Sequence, residues 1–161
     1  MKSTRGESTK TQPEYTAMHE KSYPYHGQCL CGAIRSRIAD IQASMAHCHC
    51  SMCRKFHGAA FATVAEVRTE DFQWIQGADE LSAFRSENGT VRSFCRHCGS
   101  SLVFESSRAD GSVIEIAMGT LDTPVPRQPD AHIFVTNAEN WHTICDDLPQ
   151  YAAGRNNEPR E

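Results

Sequence analysis

Seven of the eight cysteines in this 161-residue chain fall into three short runs: Cys29-Leu-Cys31, Cys48-His-Cys50-Ser-Met-Cys53 and Cys95-Arg-His-Cys98, with Cys145 standing alone. Spacings of one or two residues let a single tight turn aim two sulfurs at one point. Zinc takes thiolate and imidazole ligands in a tetrahedron, so these are metal-ligand spacings. A glycine follows the second cysteine of both pairs, Cys31-Gly32 and Cys98-Gly99. Glycine accepts the positive φ that such a knuckle requires. The two pairs therefore read as matching halves of one clamp.

On that reading Cys29, Cys31, Cys95 and Cys98 form a closed structural zinc site that staples the first strands to the middle of the chain. The binding energy of such a site is folding energy. Four thiolates leave a divalent ion with surplus negative charge and no open position, which makes it a poor Lewis acid. Cys48, Cys50 and Cys53 remain, giving two Zn²⁺ per chain. Three ligands from one segment match a catalytic layout, in which water or substrate takes the fourth position. An incoming thiol would lose its proton there. Other readings stand beside this one. Cys29 and Cys31 could instead join Cys50 and Cys53, which strands Cys48 and splits the matched halves. His47, His49, His57, His97 or Cys145 could close the triplet. His49 lies between two ligands, so in an extended segment its side chain points away from the metal.

The elements that must position these ligands read mostly as strands. Short runs rich in β-branched and aromatic residues cover 33–38, 60–67, 72–75, 81–85, 91–94, 102–105, 113–118 and 132–135. Asn88-Gly89 and Asp110-Gly111 are hairpin-turn signals. One helix is expected over 51–57, capped by Ser51. The pattern predicts a mainly β domain of antiparallel sheets with one short helix near the cysteine triplet. Phe56, Phe61, Trp74, Phe84, Phe94 and Phe104 are expected in its core. Residues 1–22 are polar and lack a hydrophobic period, which predicts a disordered arm; 23–149 form the domain; 150–161 read as a flexible tail.

Composition narrows the function classes. The formal charge of −4 gives no broad attraction to nucleic acid or acidic membranes. No stretch approaches the ~20 apolar residues that span a bilayer, and the first twenty residues lack an apolar leader. A cytoplasmic location is expected, where clustered cysteines serve as ligands or catalytic groups rather than disulfides.

Three segments taken in order are specific: Gly27-Gln-Cys-Leu-Cys-Gly32, Cys48-His-Cys-Ser-Met-Cys-Arg-Lys55 and Phe94-Cys-Arg-His-Cys-Gly99. Together with Gly58, Gly119-Thr-Leu-Asp122, His132-Ile-Phe134 and Trp141 they resemble the glutathione-dependent formaldehyde-activating enzyme family, also called the CENP-V/GFA domain. The resemblance spans 23–141. It implies a β-tent arrangement of antiparallel sheets around the structural zinc, with the ligand division given above. It also implies a carbon–sulfur lyase, run as condensation of formaldehyde with glutathione to S-hydroxymethylglutathione. The expected partners are a small thiol such as glutathione and a small aldehyde, with no membrane and no nucleic acid.

Glutathione carries two carboxylates, and Arg54 and Lys55 follow the third ligand, where they could meet one. His57 is a candidate proton shuttle. Gly58 lets the chain turn near the metal, and Asp122 holds a turn. Two other classes compete. A non-catalytic zinc-binding interaction module would suit the family's chromatin-associated branch, but the arm here mixes Lys and Arg with Glu. A thiol-redox sensor would use the triplet and release its metal on oxidation.

Overall fold

The computed structural model describes residues 21–106 and 110–155. Alternating side chains, short runs and Gly-centred turns produce ten strands: β1 (Tyr25–Gln28), β2 (Arg35–Ile38), β3 (Met45–Cys48), β4 (Ala62–Arg68), β5 (Phe72–Gln76), β6 (Leu81–Arg85), β7 (Val91–Cys95), β8 (Ser101–Glu105), β9 (Val113–Ala117) and β10 (Ala131–Ile133). Among the described residues one α-helix, α1 (Ser51–His57), lies between β3 and β4. The strands make a small sheet, β1-β2-β5, and a large one ordered β10-β3-β4-β9-β8-β7-β6. Pairing is antiparallel throughout, as expected, except that β10 runs parallel to β3 at the edge of the large sheet. Among the described residues no helix is long and apolar enough to cross a membrane.

Period-2 alternation divides the large sheet into two faces. One face presents Met45, Ala65, Val67, Val103, Ile114 and Ile116, all buried, to Ile34 and Ile38 at the small sheet. Burying each branched side chain of this kind contributes about 2 kcal/mol. The other face follows from the same registers: Cys48 opposite Ala62, Val64 opposite Ala117, Glu66 opposite Glu115, Glu115 opposite Phe104 and Phe104 opposite Arg92. Helix α1 roofs this second face. There the Ser101 hydroxyl donates to the Phe56 carbonyl at 3.0 Å, and Arg92 Nη2 points at the Met52 sulfur at 3.7 Å.

Several details differ from the sequence expectation. Strand β3 was not foreseen: Met45-Ala-His-Cys48 holds no β-branched residue, and its two neighbours in the sheet supply the ladder. Phe84, expected in the core, is exposed on the edge strand β6. The N-cap of α1 is Cys50 rather than Ser51, and its sulfur accepts the Cys53 amide at 3.3 Å. The tail expected to be flexible from residue 150 is docked as far as Arg155. Tyr151 N–H donates to the His132 carbonyl at 2.8 Å, Phe134 N–H to Ala153 at 2.9 Å, and Arg155 binds the Met45 carbonyl and the Asp130 carboxylate. Residues 156–161, and all but the last two residues of the arm expected over 1–22, lie outside the described residues. Lys21 pairs with Asp71 at 2.7 Å, and Lys21 and Arg68 together hold that buried carboxylate below its ordinary pKa.

Candidate metal centres

Two hairpin knuckles form the first centre. One is the β1–β2 turn, where Gly32 has φ 73° and its N–H donates to the Cys29 carbonyl at 2.9 Å. The other is the β7–β8 turn, where Gly99 has φ 74° and donates to Cys95 at the same distance. The two turns are near copies, and the glycines are needed because a side chain rarely tolerates that φ. Leu30 N–H donates to the Ser100 hydroxyl at 2.9 Å, which ties one knuckle to the other. Cys29 and Cys95 are buried in the main core, whereas Cys31 faces solvent.

The four sulfurs lie within 4.8 Å of one another, with Cys29 and Cys31 3.6 Å apart and Cys31 and Cys95 3.8 Å apart. A tetrahedral ion with ~2.3 Å metal–sulfur bonds sets its sulfurs about 3.8 Å apart, so the four residues fit such an ion. The surroundings of Cys98 and Cys29 favour thiolate, whereas against the Ala33 amide the neighbouring sulfurs push Cys31 up to about 12. The Ser100 hydroxyl, 3.3 Å from the Cys98 sulfur, brings that thiol down to about 5, aided by the amides of Ser100 and Cys31. Burial opposes ionisation of Cys29, but the Ile34 amide at 3.3 Å and the neighbouring sulfurs outweigh it.

The second centre comes from one stretch of chain. Cys48 ends β3, Cys50 caps α1 and Cys53 sits in the first turn. Their sulfurs also lie within 4.8 Å of one another. Cys50 is held well below the ordinary thiol range by hydrogen bonds from Cys48 and Cys53, then by the amides of Cys53 and Met52. Cys48 is pushed up by the same proximity to Cys50 and Cys53 and by burial. Three thiols this close cannot all ionise without a cation among them.

No fourth Cys, His, Asp or Glu atom joins this group among the described residues. Four of the five side chains considered as closing ligands are engaged elsewhere, and the fifth, His57, does not join the group. His47 shares a 3.0 Å hydrogen bond with Thr63, and His97 meets Glu80 at 2.7 Å. Cys145 is exposed and points at the Thr143 carbonyl. His49, as expected, points away from the sulfurs. It is fully buried, with Nε2 2.8 Å from His132 Nδ1, while His132 Nε2 meets the Asp146 carboxylate at 3.0 and 3.1 Å. The His49 N–H also donates to the Ile133 carbonyl at 2.9 Å, so the residue between Cys48 and Cys50 is held through both backbone and ring. Burial, followed by the charges of His132 and His142, brings His49 down to about 4.

The other candidate site residues meet different fates. Arg54 is committed inside the protein: Nε donates to the His49 carbonyl at 3.1 Å and Nη1 pairs with Glu139, leaving the side chain 14% exposed. Arg54, expected to be able to meet a substrate carboxylate, instead holds the protein's own Glu139 carboxylate. Its pairing partner lies 85 residues away and carries no sequence signal. Lys55 is exposed on the helix surface. His57 is half-buried, and burial and then the nearby Arg92 lower its pKa.

Sequence reasoning missed two residues beside the triplet. Arg92 and Glu115, with Cys53, Phe56, His57 and Phe104, line a small cavity of about 10 Å³ under α1. The available signal was a charge inside an apolar strand, as in Val113-Ile-Glu-Ile-Ala117. Burial first, then Glu66 and Cys50, raise the Glu115 carboxyl to about 7, against the opposing pull of Arg92. Phe56 and His57 also wall a groove of about 430 Å³ that reaches Phe61, Thr63, Cys98, Ser100 and Gly119. A larger cavity of about 550 Å³, bounded by Trp74, Leu81, Val91 and Ile114, touches neither cysteine centre.

Comparison with known proteins bears on both centres. Residues 24–137 match the family model described as glutathione-dependent formaldehyde-activating enzyme. A Halomonas elongata protein named for glutathione-dependent formaldehyde activation is 30% identical over 125 residues, which cover 73% of this chain and 79% of that protein. A Schizosaccharomyces pombe protein named as an uncharacterized lyase is 26% identical over 80 residues, covering 50% of this chain and 56% of the relative. A crystal structure of a Rhodobacter sphaeroides protein superposes with a TM-score of 0.54 at 26% identity, covering 63% of this chain and 91% of that one.

Proposed function

This chain belongs to the glutathione-dependent formaldehyde-activating enzyme family, and from that premise we propose that it is a zinc-dependent carbon–sulfur lyase-type enzyme that joins a small thiol, glutathione, to formaldehyde. The observation that carries this reading is the triplet: three sulfurs converge, Cys53 among them lines a small cavity, and no fourth ligand from the described residues joins them. Cys48, Cys50 and Cys53 would hold a Zn²⁺ ion that offers a thiol a place to lose its proton near neutral pH. Cys29, Cys31, Cys95 and Cys98 would hold a second Zn²⁺ with a purely structural role.

The protein's own residues do the positioning. Cys50 caps α1 and so fixes the helix to its sulfur. His132 and Asp146 hold His49, and with it the peptide carrying Cys48 and Cys50. Phe56 and His57 line both the groove, which has room for a tripeptide thiol, and the cavity under α1. Addition of a thiol to formaldehyde is intrinsically easy, so holding the two reactants in register is the main demand. Arg54 is tied to Glu139, so Lys55 is the better candidate to meet a glutathione carboxylate at the surface. A reducing compartment such as the cytoplasm would keep seven ligand thiols available for metal.

Exchange NMR of formaldehyde with glutathione tests the reading. Substoichiometric zinc-loaded protein should accelerate interconversion with S-hydroxymethylglutathione. An exchange rate equal to that of protein-free buffer would overturn the assignment.

A further inference from the structure

Arg92, Phe104 and Glu115 are successive cross-strand neighbours on β7, β8 and β9, on the face that α1 covers. Arg92 is 3% exposed. Its Nη1 donates to the Ser86 hydroxyl at 2.8 Å, its Nη2 points at the Met52 sulfur, and its guanidinium lies 4.9 Å over the Phe104 ring. A guanidinium has five N–H donors. Among the described residues it forms no ion pair, although Glu115 lines the same cavity. A buried cation without a counter-charge is disfavoured unless something else meets it. The space that both residues line is about 10 Å³, the size of one water-scale oxygen group. Its other walls include Val64, Leu102 and Phe104, and Cys53 opens it toward the triplet.

We propose that the gap between Arg92 and Glu115 is the subsite for the oxygen of a one-carbon aldehyde, with Arg92 holding that oxygen and Glu115 carrying the proton. This rests on the reading that a thiol adds to an aldehyde beside the triplet. The step balances. The Glu115 carboxylate takes the proton of the thiol. The thiolate sulfur bonds the carbonyl carbon while the C=O π pair moves to oxygen. That oxygen, facing the Arg92 donors, then receives the proton back from Glu115. The net change is thiol plus formaldehyde to hydroxymethyl thioether, and Glu115 returns to its starting state. The groups around Glu115 are Glu66 on β4, Arg92 on β7, Cys50 at the cap of α1, and Cys53 and His57 on α1, with Arg155 lining a second cavity beside Glu115 and Glu66. The apolar walls leave no room for an alkyl chain, so the same cavity would reject longer aldehydes.

The test uses the zinc-loaded full chain, wild type and the near-isosteric E115Q, with R92K as a second variant that keeps the charge but loses the fork of donors. Zinc content and melting temperature establish that each variant is folded and loaded. In exchange NMR, E115Q should lose about 10²–10³ of the acceleration, a magnitude typical of a general acid–base group. Glutathione affinity should stay within about twofold. An E115Q variant with wild-type rate would overturn the proposal. Binding of ¹³C-formate, a one-carbon carbonyl probe, needs no turnover. Formate should bind the wild type better than propionate does and should weaken about tenfold in R92K. Formate binding that is absent, or unchanged in R92K, would overturn the subsite. An inert wild type that still binds formate in an Arg92-dependent way would instead defeat the lyase reading and support the oxygen subsite.

Discussion

The two cysteine centres use one ligand type in two chain geometries. The four-sulfur centre joins turns that lie 64 residues apart and belong to different sheets. Each turn is a self-contained knuckle with its own left-handed glycine, and two of the four sulfurs reach the main core. The triplet closes a loop of only six residues. It depends on a strand end, a helix cap and the His49–His132–Asp146 network behind them. Closing a long loop removes much entropy from the unfolded chain, whereas closing a short one removes little. The first centre should therefore hold the fold together, and the second should be free to give up a ligand position to chemistry.

The largest effect should separate the two outright. Structural zinc sites contribute about 10–16 kcal/mol, comparable to the whole stability of a domain at about 5–15 kcal/mol. Cys98→Ser should abolish the cooperative thermal transition seen by circular dichroism. Cys50→Ser should keep that transition and lower the metal content from two ions per chain to one. Matching behaviour of the two variants would break the division. Graded chelation should likewise strip the triplet's metal first, with the fold retained.

A smaller effect probes the support behind the triplet. His132→Ala leaves every sulfur in place but removes the ring that holds His49 from below. By analogy with other outer-shell hydrogen bonds to metal sites, affinity at the triplet should fall about tenfold. Metal at the four-sulfur centre should be unaffected. A competition titration with a chromophoric chelator reads both numbers in one sample.

The smallest effect concerns pH. Folding raises the Glu115 carboxyl to about 7 by burying it near Glu66 and Cys50. A carboxyl raised above its unfolded pKa favours the folded state at low pH and opposes it as pH rises through the folded value. The melting temperature of Glu115→Gln should therefore exceed that of the wild type at pH 8 by about 2–4 °C, the shift expected from ~1 kcal/mol in a chain of this length. The gap should narrow toward pH 6. An equal gap at both values would place the Glu115 carboxyl outside the buried environment shared with the triplet.

Much of this was legible in local chemistry. The ligand runs and their glycines carry their geometry in their spacing, and strands β4 to β9 announce themselves by alternation and by Asn88-Gly89. Strand β3 did not, because its formation depends on neighbours at both sides rather than on its own residues. Arg54 looked free next to the third ligand, but a glutamate far along the chain claims it. Arg92 and Glu115 read as ordinary strand residues, since alternation groups side chains onto one face without saying what covers that face.

The sequence by itself determined which sulfurs belong together, because a Cys-x-Cys-Gly or Cys-x-x-Cys-Gly turn preorganises two ligands within a few bonds. The tertiary structure alone decided what surrounds the triplet: the histidine network on one side, and the covered pair of Arg92 and Glu115 on the other. The histidine network joins residues 83 and 14 positions apart, and Arg92 and Glu115 lie 23 positions apart. Their energies depend on burial and on charges brought near by folding, neither of which a local stretch of chain contains.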